Sequence, residues 1–253
     1  MANKKKSVFI TGGAGYVGSA LVPYLLNNNF SITVYDLLIY GNPFRKNTPN
    51  LTVIKGDIRD QKLLEDASKN HDAVIHLACI SNDPSFELNS SLGKSINFDC
   101  FEPMIKIFKK NKVRQIIYAS SSSVYGVKDK IDVSEDDNLE PLTDYSFFKA
   151  ECEKILLNET SDNFIGTILR PATVCGFAPR LRLDVVVNIF TNLAFNKRKI
   201  SIFGGDQLRP NIHINDMIRS YELVINSENN LVNGQIFNVG YENQSVNDLA
   251  KAV

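Results

Sequence analysis

Residues 7–18 read SVFITGGAGYVG, and the fold follows from this stretch. The β-rich run SVFIT predicts a short strand over residues 7–11, and an apolar pattern of helical period predicts a helix over residues 15–28. Between them stand Gly12, Gly15 and Gly18, which allow a tight turn and a close approach of backbone N–H groups to a pyrophosphate. A strand, a glycine-rich turn and a helix in this order predict a dinucleotide site at the helix N-terminus.

Strand and helix signals alternate through the next 150 residues. Further strands are predicted over residues 31–35, 51–55, 73–77, 114–119 and 164–169, and helices over residues 60–69, 92–111 and 144–160. This alternation is typical of a parallel sheet covered by helices on both faces. With right-handed crossovers it predicts an α/β fold, a doubly wound parallel (Rossmann) sheet.

After Arg170 the alternation becomes less regular. Helices are predicted over residues 183–195, 216–224 and 248–253, and short strands over residues 199–203, 211–214 and 236–239. We therefore predict a dinucleotide-binding domain over residues 1–178 and a smaller α/β substrate lobe over residues 179–253. Residues 126–141 form a polar insert, for which we expect an exposed loop whose acidic cluster of Glu135, Asp136 and Asp137 is solvated.

The end of the second predicted strand indicates which dinucleotide is bound. Asp36 stands there, and a carboxylate at this point can accept hydrogen bonds from both hydroxyls of an adenosine ribose. It would repel a 2′-phosphate, and the residues that follow, Leu37–Ile39 (LLI), offer no cation to offset the repulsion. NAD is therefore favoured over NADP. Asp57 and Ile58, after the third strand, are candidates to receive the adenine; the alternative for Asp57 is a cap on a turn or helix.

A second group of residues indicates proton-transfer chemistry. Tyr145 and Lys149 are spaced to lie on one face of a helix. An ammonium group beside a phenol favours the phenolate, as does the positive nicotinamide of NAD, and the phenolate can take a proton from a sugar hydroxyl. The pair gains weight from the run Ser120–Ser123, which follows the fifth strand at the ligand-bearing edge of the predicted sheet.

Composition excludes several other classes. The 28 basic and 28 acidic side chains give a net charge of zero, which argues against a dedicated nucleic-acid binder. The four cysteines and three histidines have no metal-ligand spacing, so we predict no metal site. Without a disulfide framework, a reduced cytoplasmic protein is the simplest expectation. We also expect no membrane span, because no run of about 18 apolar residues occurs.

Together these motifs resemble the NAD-dependent epimerase/dehydratase family, the extended short-chain dehydrogenases/reductases. The resemblance covers essentially the whole chain. It includes TGGAGYVG at residues 11–18, GDIRD at 56–60, HLAC at 76–79, ASSSSVYG at 119–126, LRPATVCG at 169–176 and RPNIHIND at 209–216.

The resemblance assigns roles to individual residues. It implies that Ser121 is the catalytic hydroxyl, Tyr145 the acid/base and Lys149 its partner, and that Arg209 binds a substrate diphosphate. Around the NAD it implies contacts from Tyr16, Val17, Leu77, Ala78, Asn97, Tyr145 and Lys149, and around the substrate from Ser122, Ser123 and Thr173.

The resemblance also suggests an activity. Family members that dehydrate nucleotide sugars carry acidic residues just after the catalytic hydroxyl, whereas Ser122 and Ser123 stand here, as in UDP-hexose and UDP-uronate 4-epimerases. A nucleotide-sugar 4-epimerase is therefore the first expectation. The resemblance also implies a homodimer, because relatives form a four-helix interface from two long helices, predicted here over residues 92–111 and 144–160. The alternatives are a dehydrogenase or 4-ketoreductase, a 4,6-dehydratase, and a non-catalytic NAD-binding regulator.

Two departures from the family pattern concern the substrate side. Thr173 replaces an asparagine that the family often carries near the nucleotide diphosphate, and residues 180–188 (RLRLDVVVN) are typical of a less-characterised branch. Related chains are also longer, so we expect the substrate lobe to be incomplete at its C-terminal end.

Overall fold

The structure is a computed structural model that describes residues 5–128 and 132–253. This part of the chain contains ten strands: β1 (Ser7–Thr11), β2 (Ser31–Asp36), β3 (Leu51–Lys55), β4 (Ala73–His76), β5 (Gln115–Ala119), β6 (Ile165–Pro171), β7 (Thr173–Cys175), β8 (Leu208–His213), β9 (Gln235–Val239) and β10 (Glu242–Ser245).

Helices separate most of these strands. In chain order they are α1 (Tyr16–Asn27), α2 (Gln61–Ala67), α3 (Asp83–Glu87), α4 (Ser90–Lys94), α5 (Phe101–Lys110), α6 (Asp144–Glu159), α7 (Val186–Lys197), α8 (Ile214–Asn226), α9 (Asn229–Val232) and α10 (Val246–Ala252). A π-helical segment (Ser95–Asp99) joins α4 to α5, and a 3₁₀ turn (Ser122–Tyr125) follows β5.

Seven parallel strands form the main sheet, in the order β3-β2-β1-β4-β5-β6-β9. The chain winds outward from β1 to β3 and then crosses back to β4, so the strand order reverses between β1 and β4. In such sheets ligands bind outside the carboxyl ends of the strands at this reversal point. A backbone hydrogen bond from Leu77 to Thr11, 3.0 Å long, joins the two strands there. The predicted doubly wound fold is confirmed.

Two hydrophobic layers cover this sheet. Leu21 and Leu25 of α1 pack with Met217 and Tyr221 of α8 on one face, while α5 and α6 cover the other face. The central strands are buried on both sides, which is why β1 reads as a continuous apolar run; its residues Val8, Phe9 and Ile10 are fully buried.

The remaining strands form a smaller mixed sheet of order β10-β8-β7, in which β8 is antiparallel to β10 and parallel to β7. The chain beyond residue 178 does not stay in this second layer, because β9 pairs with β6 and α8 packs beside α1. The main sheet therefore takes in residues on both sides of the predicted boundary, and the division at residue 178 stays a prediction.

Three sequence expectations need correction. Residues 199–203 form no strand, because they pair with no neighbour in the described chain and Phe203 is 86% exposed. The helix predicted over residues 92–111 is a helical run interrupted by the π-helical segment. Glu135 is not simply solvated, since its carboxylate accepts the backbone N–H of Asn238 at 2.6 Å. Residues 129–131 of that loop lie outside the described residues.

Candidate active site

The turn after β1 brings the chain close to the end of β4. Gly12 has a φ of +70°, and a Cβ added to it would lie 2.6 Å from the backbone nitrogen of Ala78. A Cβ on Gly18 would lie 2.4 Å from the carbonyl oxygen of Gly13. Only glycine fits either position, because in both cases the obstacle is backbone that cannot rotate away.

The N-terminus of α1 is open to a ligand. Its N-cap is Gly15, so no side chain caps the first turn, and that turn carries no acidic residue. Free N–H groups and the positive end of the helix dipole form a site for a phosphate group. Asp36 accepts the N–H of Ala14 at 3.0 Å and that of Leu38 at 2.8 Å, which places its carboxylate beside the glycine turn. The residues present therefore fit a dinucleotide.

We expect Asp36→Asn to weaken NAD binding about tenfold and to reduce the discrimination against NADP, because a charge-assisted hydrogen bond contributes about 1.5–3 kcal/mol. Titration of the apoprotein with each dinucleotide measures both dissociation constants. Asp66→Asn, in an exposed pair with Lys69, is the matched control. Equal affinity of the unmodified protein for NAD and NADP would contradict the role given to Asp36.

The third strand leads into a turn built by Asp57. Its carboxylate accepts the backbone N–H of Arg59 at 2.9 Å and pairs with the Arg59 guanidinium, which lowers the pKa of Asp57. Asp57 therefore caps a turn, which was the alternative role predicted for it. The N-cap of α2 is a different residue, Asp60. Ile58 is buried. A contact of either residue with adenine stays a prediction.

Tyr145 and Lys149 lie one turn apart on α6, and both are buried. The Lys149 ammonium donates to the carbonyl of Ala119, the last residue of β5, at 2.6 Å. It stands 4.9 Å from the ring centroid of Tyr118 and 5.9 Å from that of Tyr145. The cation is thereby fixed beside the phenol.

Ser121 follows β5 and caps the 3₁₀ turn. Its hydroxyl accepts the backbone N–H of Ser123 at 3.2 Å and the Ser123 hydroxyl at 2.9 Å. The structure thus places Ser121, with Ser122 and Ser123 behind it, at the carboxyl edge of the sheet on the side of α6 where Tyr145 and Lys149 lie.

The surroundings of Tyr145 determine how readily its phenol ionises. Burial raises the pKa of Tyr145, and the neighbouring Cys79 and Asp83 add to the rise. The guanidinium of Arg182 and the hydroxyl of Ser121 act in the opposite direction. The phenolate therefore depends on positive charge and hydrogen bonds gathered around it.

Two residues support the loop after β4. His76 is buried, shares a 2.6 Å hydrogen bond with Thr11 and stacks on Tyr118; burial lowers the pKa of His76 to about 3, so it is neutral at pH 7. Asn97 lies in the π-helical segment, and its amide binds both the N–H and the carbonyl of Ile80 at 2.9 and 3.0 Å. Asn97 thus holds the backbone just beyond Leu77 and Ala78.

Residues 176–188 form a strap across this edge of the sheet, and no motif in the sequence predicted its position. The Arg182 guanidinium binds Asp184 through two hydrogen bonds of 2.8 and 3.1 Å and donates to the carbonyl of Ser81 at 3.2 Å. Asn82 donates to the same Asp184 carboxylate at 2.5 Å. Arg182 is thereby fastened to the loop after β4, near Tyr145.

Both ends of the strap bind Tyr16, the first residue of α1. The Tyr16 hydroxyl donates to the carbonyl of Gly176 at 2.7 Å and accepts from Asn188 at 3.1 Å. The Arg180 guanidinium lies 3.8 Å from the ring centroid of Tyr40, in the loop after β2. The only sequence signal for this strap was the unusual RLRLDVVVN run, which shows no spacing that would reveal its partners.

A cavity of about 270 Å³ opens beside Tyr145. Its lining consists of Asp83, Phe86, Glu87, Leu142, Thr143, Asp144 and Tyr145.

The remaining predicted substrate residues lie on the smaller sheet. Thr173 of β7 pairs in register with Asn211 of β8, and Arg209 lies two residues earlier on β8, exposed. Within the described residues no hydrogen bond or ion pair joins Arg209 to Ser121, Tyr145 or Lys149. Its guanidinium also has no carboxylate partner there.

The fold and this site define an NAD-binding Rossmann protein in which Ser121, Tyr145 and Lys149 lie at the carboxyl edge of the sheet. Comparison with known proteins agrees: the profile of the NAD-dependent epimerase/dehydratase family matches residues 8–240. The chain belongs to this family, and its cofactor is NAD.

Individual relatives include several activities. A putative UDP-glucose 4-epimerase of Methanocaldococcus jannaschii is 30% identical, over 89% of this chain and 75% of its own length. The UDP-N-acetylglucosamine 4-epimerase of Methanobrevibacter ruminantium M1, solved with UDP-N-acetylmuramic acid, superposes with a TM-score of 0.88 at 29% identity, over 98% of this chain and 81% of its own.

MoeE5, solved with UDP-glucuronic acid and NAD, gives a TM-score of 0.85 at 28% identity, over 97% of this chain and 80% of its own. Other similar proteins are named dTDP-glucose 4,6-dehydratases or a UDP-N-acetyl-α-D-glucosaminuronate decarboxylase. The proteins similar to this chain are thus named for several different reactions.

Proposed function

We propose that this protein is an NAD-dependent nucleotide-sugar 4-epimerase. One observation carries the proposal: Ser121, Tyr145 and Lys149 meet at the carboxyl edge of the sheet near the glycine turn, and the two residues after Ser121 are hydroxyls. Dehydration at C6 needs an acid and a base at the sugar, and neither Ser122 nor Ser123 supplies a carboxylate.

The residues suit a redox-neutral inversion. Tyr145, as the phenolate, takes the proton of the sugar C4 hydroxyl, and Ser121 donates a hydrogen bond to the same oxygen. NAD, when bound, supplies the acceptor for the hydride that leaves C4 and is also the source of the hydride that later returns to C4. After the 4-keto sugar has turned its opposite face toward the nicotinamide, Tyr145 returns the proton to the C4 oxygen. The reaction therefore consumes no cofactor.

The test is to offer the NAD-loaded protein a panel of UDP-, dTDP- and GDP-linked hexoses and uronates and to identify products by mass spectrometry after chromatography. The proposal expects a C4 epimer with no net change in NADH absorbance. A net change during turnover would show a dehydrogenase or ketoreductase, and a product lighter by one water would show a dehydratase. No conversion of any substrate would contradict the proposal.

We further propose that Arg209 binds the substrate diphosphate, for which its unpaired and exposed guanidinium is suited. Thr173 lies on the neighbouring strand of the same sheet and would contact the nucleotide. We propose contacts with the cofactor for four residues that line the turns after β1 and β4: Tyr16, Val17, Leu77 and Ala78.

We also propose a homodimer formed through α4, α5 and α6. On these helices Phe147 is 47% exposed and Leu92 41%; Leu88, between α3 and α4, is 88% exposed. We expect Phe147→Glu to raise the dimer dissociation constant at least tenfold, because a carboxylate replaces buried apolar area. Sedimentation at micromolar concentration measures it, with Phe195→Glu on α7 as the control. A strictly monomeric unmodified protein would reject the dimer.

No helix among the described residues is apolar and long enough to span a bilayer. The four cysteines are free thiols, and we propose a cytoplasmic location because that compartment keeps thiols reduced.

A further inference from the structure

A buried ion pair lies beneath the Ser121 loop. Arg170 of β6 and Glu153 of α6 have side chains that are 3% and 2% exposed. The Arg170 guanidinium donates from Nε and Nη2 to the two carboxylate oxygens of Glu153 at 3.1 and 2.7 Å. Desolvation offsets much of what such a pair contributes to stability, so its presence calls for another explanation.

The position of Glu153 on α6 gives the first part of that explanation. Tyr145, Lys149 and Glu153 follow one another at intervals of four residues and so share one face of the helix. Lys149 binds the carbonyl of Ala119, and the hydroxyl of Ser120 donates to the carboxylate of Glu153. Consecutive turns of α6 therefore hold the two consecutive residues that precede Ser121.

Arg170 extends the same network to the far end of the Ser121 loop. Its Nη1 donates to the hydroxyl of Tyr125 at 2.7 Å, and that hydroxyl donates to Asn238 at 2.6 Å. Tyr125 ends the 3₁₀ turn that Ser121 caps. The segment from Ser121 to Tyr125 is thus tied at both ends to one buried pair.

We propose that the Glu153–Arg170 pair is a positioning device that sets the Ser121 hydroxyl against the Tyr145 phenol, acting through Ser120 and Tyr125. This inference rests on the proposed function for the catalytic roles of Ser121 and Tyr145. Glu153 and Arg170 themselves make no hydrogen bond to either residue within the described chain. Charged partners suit this role because an apolar pair of equal volume would offer Ser120 no acceptor.

The experiment compares Glu153→Gln and Ser120→Ala with the unmodified protein. Gln keeps the volume of Glu153 but loses one acceptor oxygen, and Ala removes only the hydroxyl that links Ser120 to Glu153. Glu151→Gln, in the solvent-exposed pair with Lys154 on the same helix, is the matched control. If Glu153→Gln does not fold, Ser120→Ala still decides the question.

Two readouts are taken on NAD-loaded protein. The first is the titration midpoint of the Tyr145 phenol, obtained from tyrosinate absorbance as the difference from Tyr145→Phe. The second is kcat and KM with UDP-glucose, or with whichever nucleotide sugar of the panel is converted. Cys79, Asp83, Lys149 and Arg182, the charged and titratable groups that act on the phenol, are unchanged in every variant.

We expect kcat to fall ten- to a hundredfold in both variants with KM within about twofold, because a displacement of about 1 Å has effects of this size. The phenol midpoint rises by about one pH unit as the Ser121 hydrogen bond weakens. If Glu153→Gln acted only by removing a negative charge, the midpoint of the Tyr145 phenol would fall. The sign of the midpoint shift therefore separates a positioning role from a purely electrostatic one.

An unchanged kcat together with an unchanged or lower midpoint would overturn the proposal, whatever the melting temperatures. The phenol titration needs no substrate. Failure of the unmodified protein to convert any nucleotide sugar would therefore overturn the proposed function, while the midpoint would still test the positioning role.

Discussion

Tyr145→Phe is expected to lower turnover about a thousandfold and to leave NAD bound. A positioned acid/base group contributes about 10²–10⁴-fold to rate, and this substitution removes the only atom that carries the proton. Tyr145 is 9% exposed, and the phenylalanine ring fills the same buried space, so we expect the packing around residue 145 to be kept. Product chromatography measures the rate, and absorbance of the released cofactor after denaturation measures NAD content.

The control for this variant is Tyr241→Phe, because Tyr241 is 82% exposed. It removes the same hydroxyl group far from any buried partner and leaves the rate unchanged. If Tyr145→Phe kept its turnover, the phenol would not be the acid/base. If a cellular function of the protein survived the substitution, a non-catalytic NAD-binding regulator would become the better explanation.

The pH profile adds a second signature. In the proposed mechanism the phenolate is the base, so we expect kcat/KM of the unmodified protein to rise with pH as Tyr145 loses its proton. Since burial raises the pKa of Tyr145, nearby positive charge is needed to bring this rise toward neutral pH. Lys149→Met is expected to move the rise to higher pH, whereas Tyr145→Phe removes it.

The sequence was a good guide to the elements that are buried on both faces. The predicted bounds of β1 agree with the structure, because a parallel strand that is buried on both faces reads as an unbroken β-rich run. The bounds of β3 agree as well, although it is the edge strand of the sheet, because its residues LTVIK are themselves β-rich. The polar strand β10 (ENQS) and the three-residue β7 were missed, since they exist only through their pairing with β8. The residues of β10 carry little strand preference, and β7, although it contains Thr173 and Val174, is only three residues long.

The same distinction holds at the site. Gly12, Tyr145 and Lys149 could be found because each motif is local: a turn between two elements, or two residues on one helix face. Arg182 and Asn188 could not, because the contacts that place them at the site join distant parts of the chain. Arg182 binds the carbonyl of Ser81, 101 residues distant, and Asn188 binds Tyr16, 172 residues distant. Local spacing carries no information on such contacts, which depend on how strands and helices pack.

The buried pair of Glu153 and Arg170 is likewise a contact that local spacing does not predict. Its members are 17 residues apart and on different elements, and nothing in the composition of either segment indicates that they meet. Sequence reasoning found the groups that would touch substrate and missed the groups that hold them in place.

Gly12→Ala is expected to destabilise the fold by about 3 kcal/mol and to yield protein without NAD. About 1 kcal/mol follows from placing a Cβ at a φ of +70°, and about 2 kcal/mol from overpacking against backbone that must move. The added Cβ would lie 2.6 Å from the nitrogen of Ala78 and 2.9 Å from the carbonyl carbon of Leu77. The ends of β1 and β4 must therefore separate, at the reversal point where we propose that the cofactor binds.

Gly41→Ala separates these two contributions. Gly41 has a φ of +83°, yet a Cβ there meets nothing within 4 Å, so only the backbone strain of about 1 kcal/mol applies. Denaturant unfolding measures both variants, and cofactor absorbance measures their NAD content. Equal destabilisation of the two, with NAD retained in Gly12→Ala, would show that the close approach of β1 to β4 is not what requires glycine. A larger loss in Gly12→Ala alone places the requirement in the contact with Ala78, because the strained backbone is common to both.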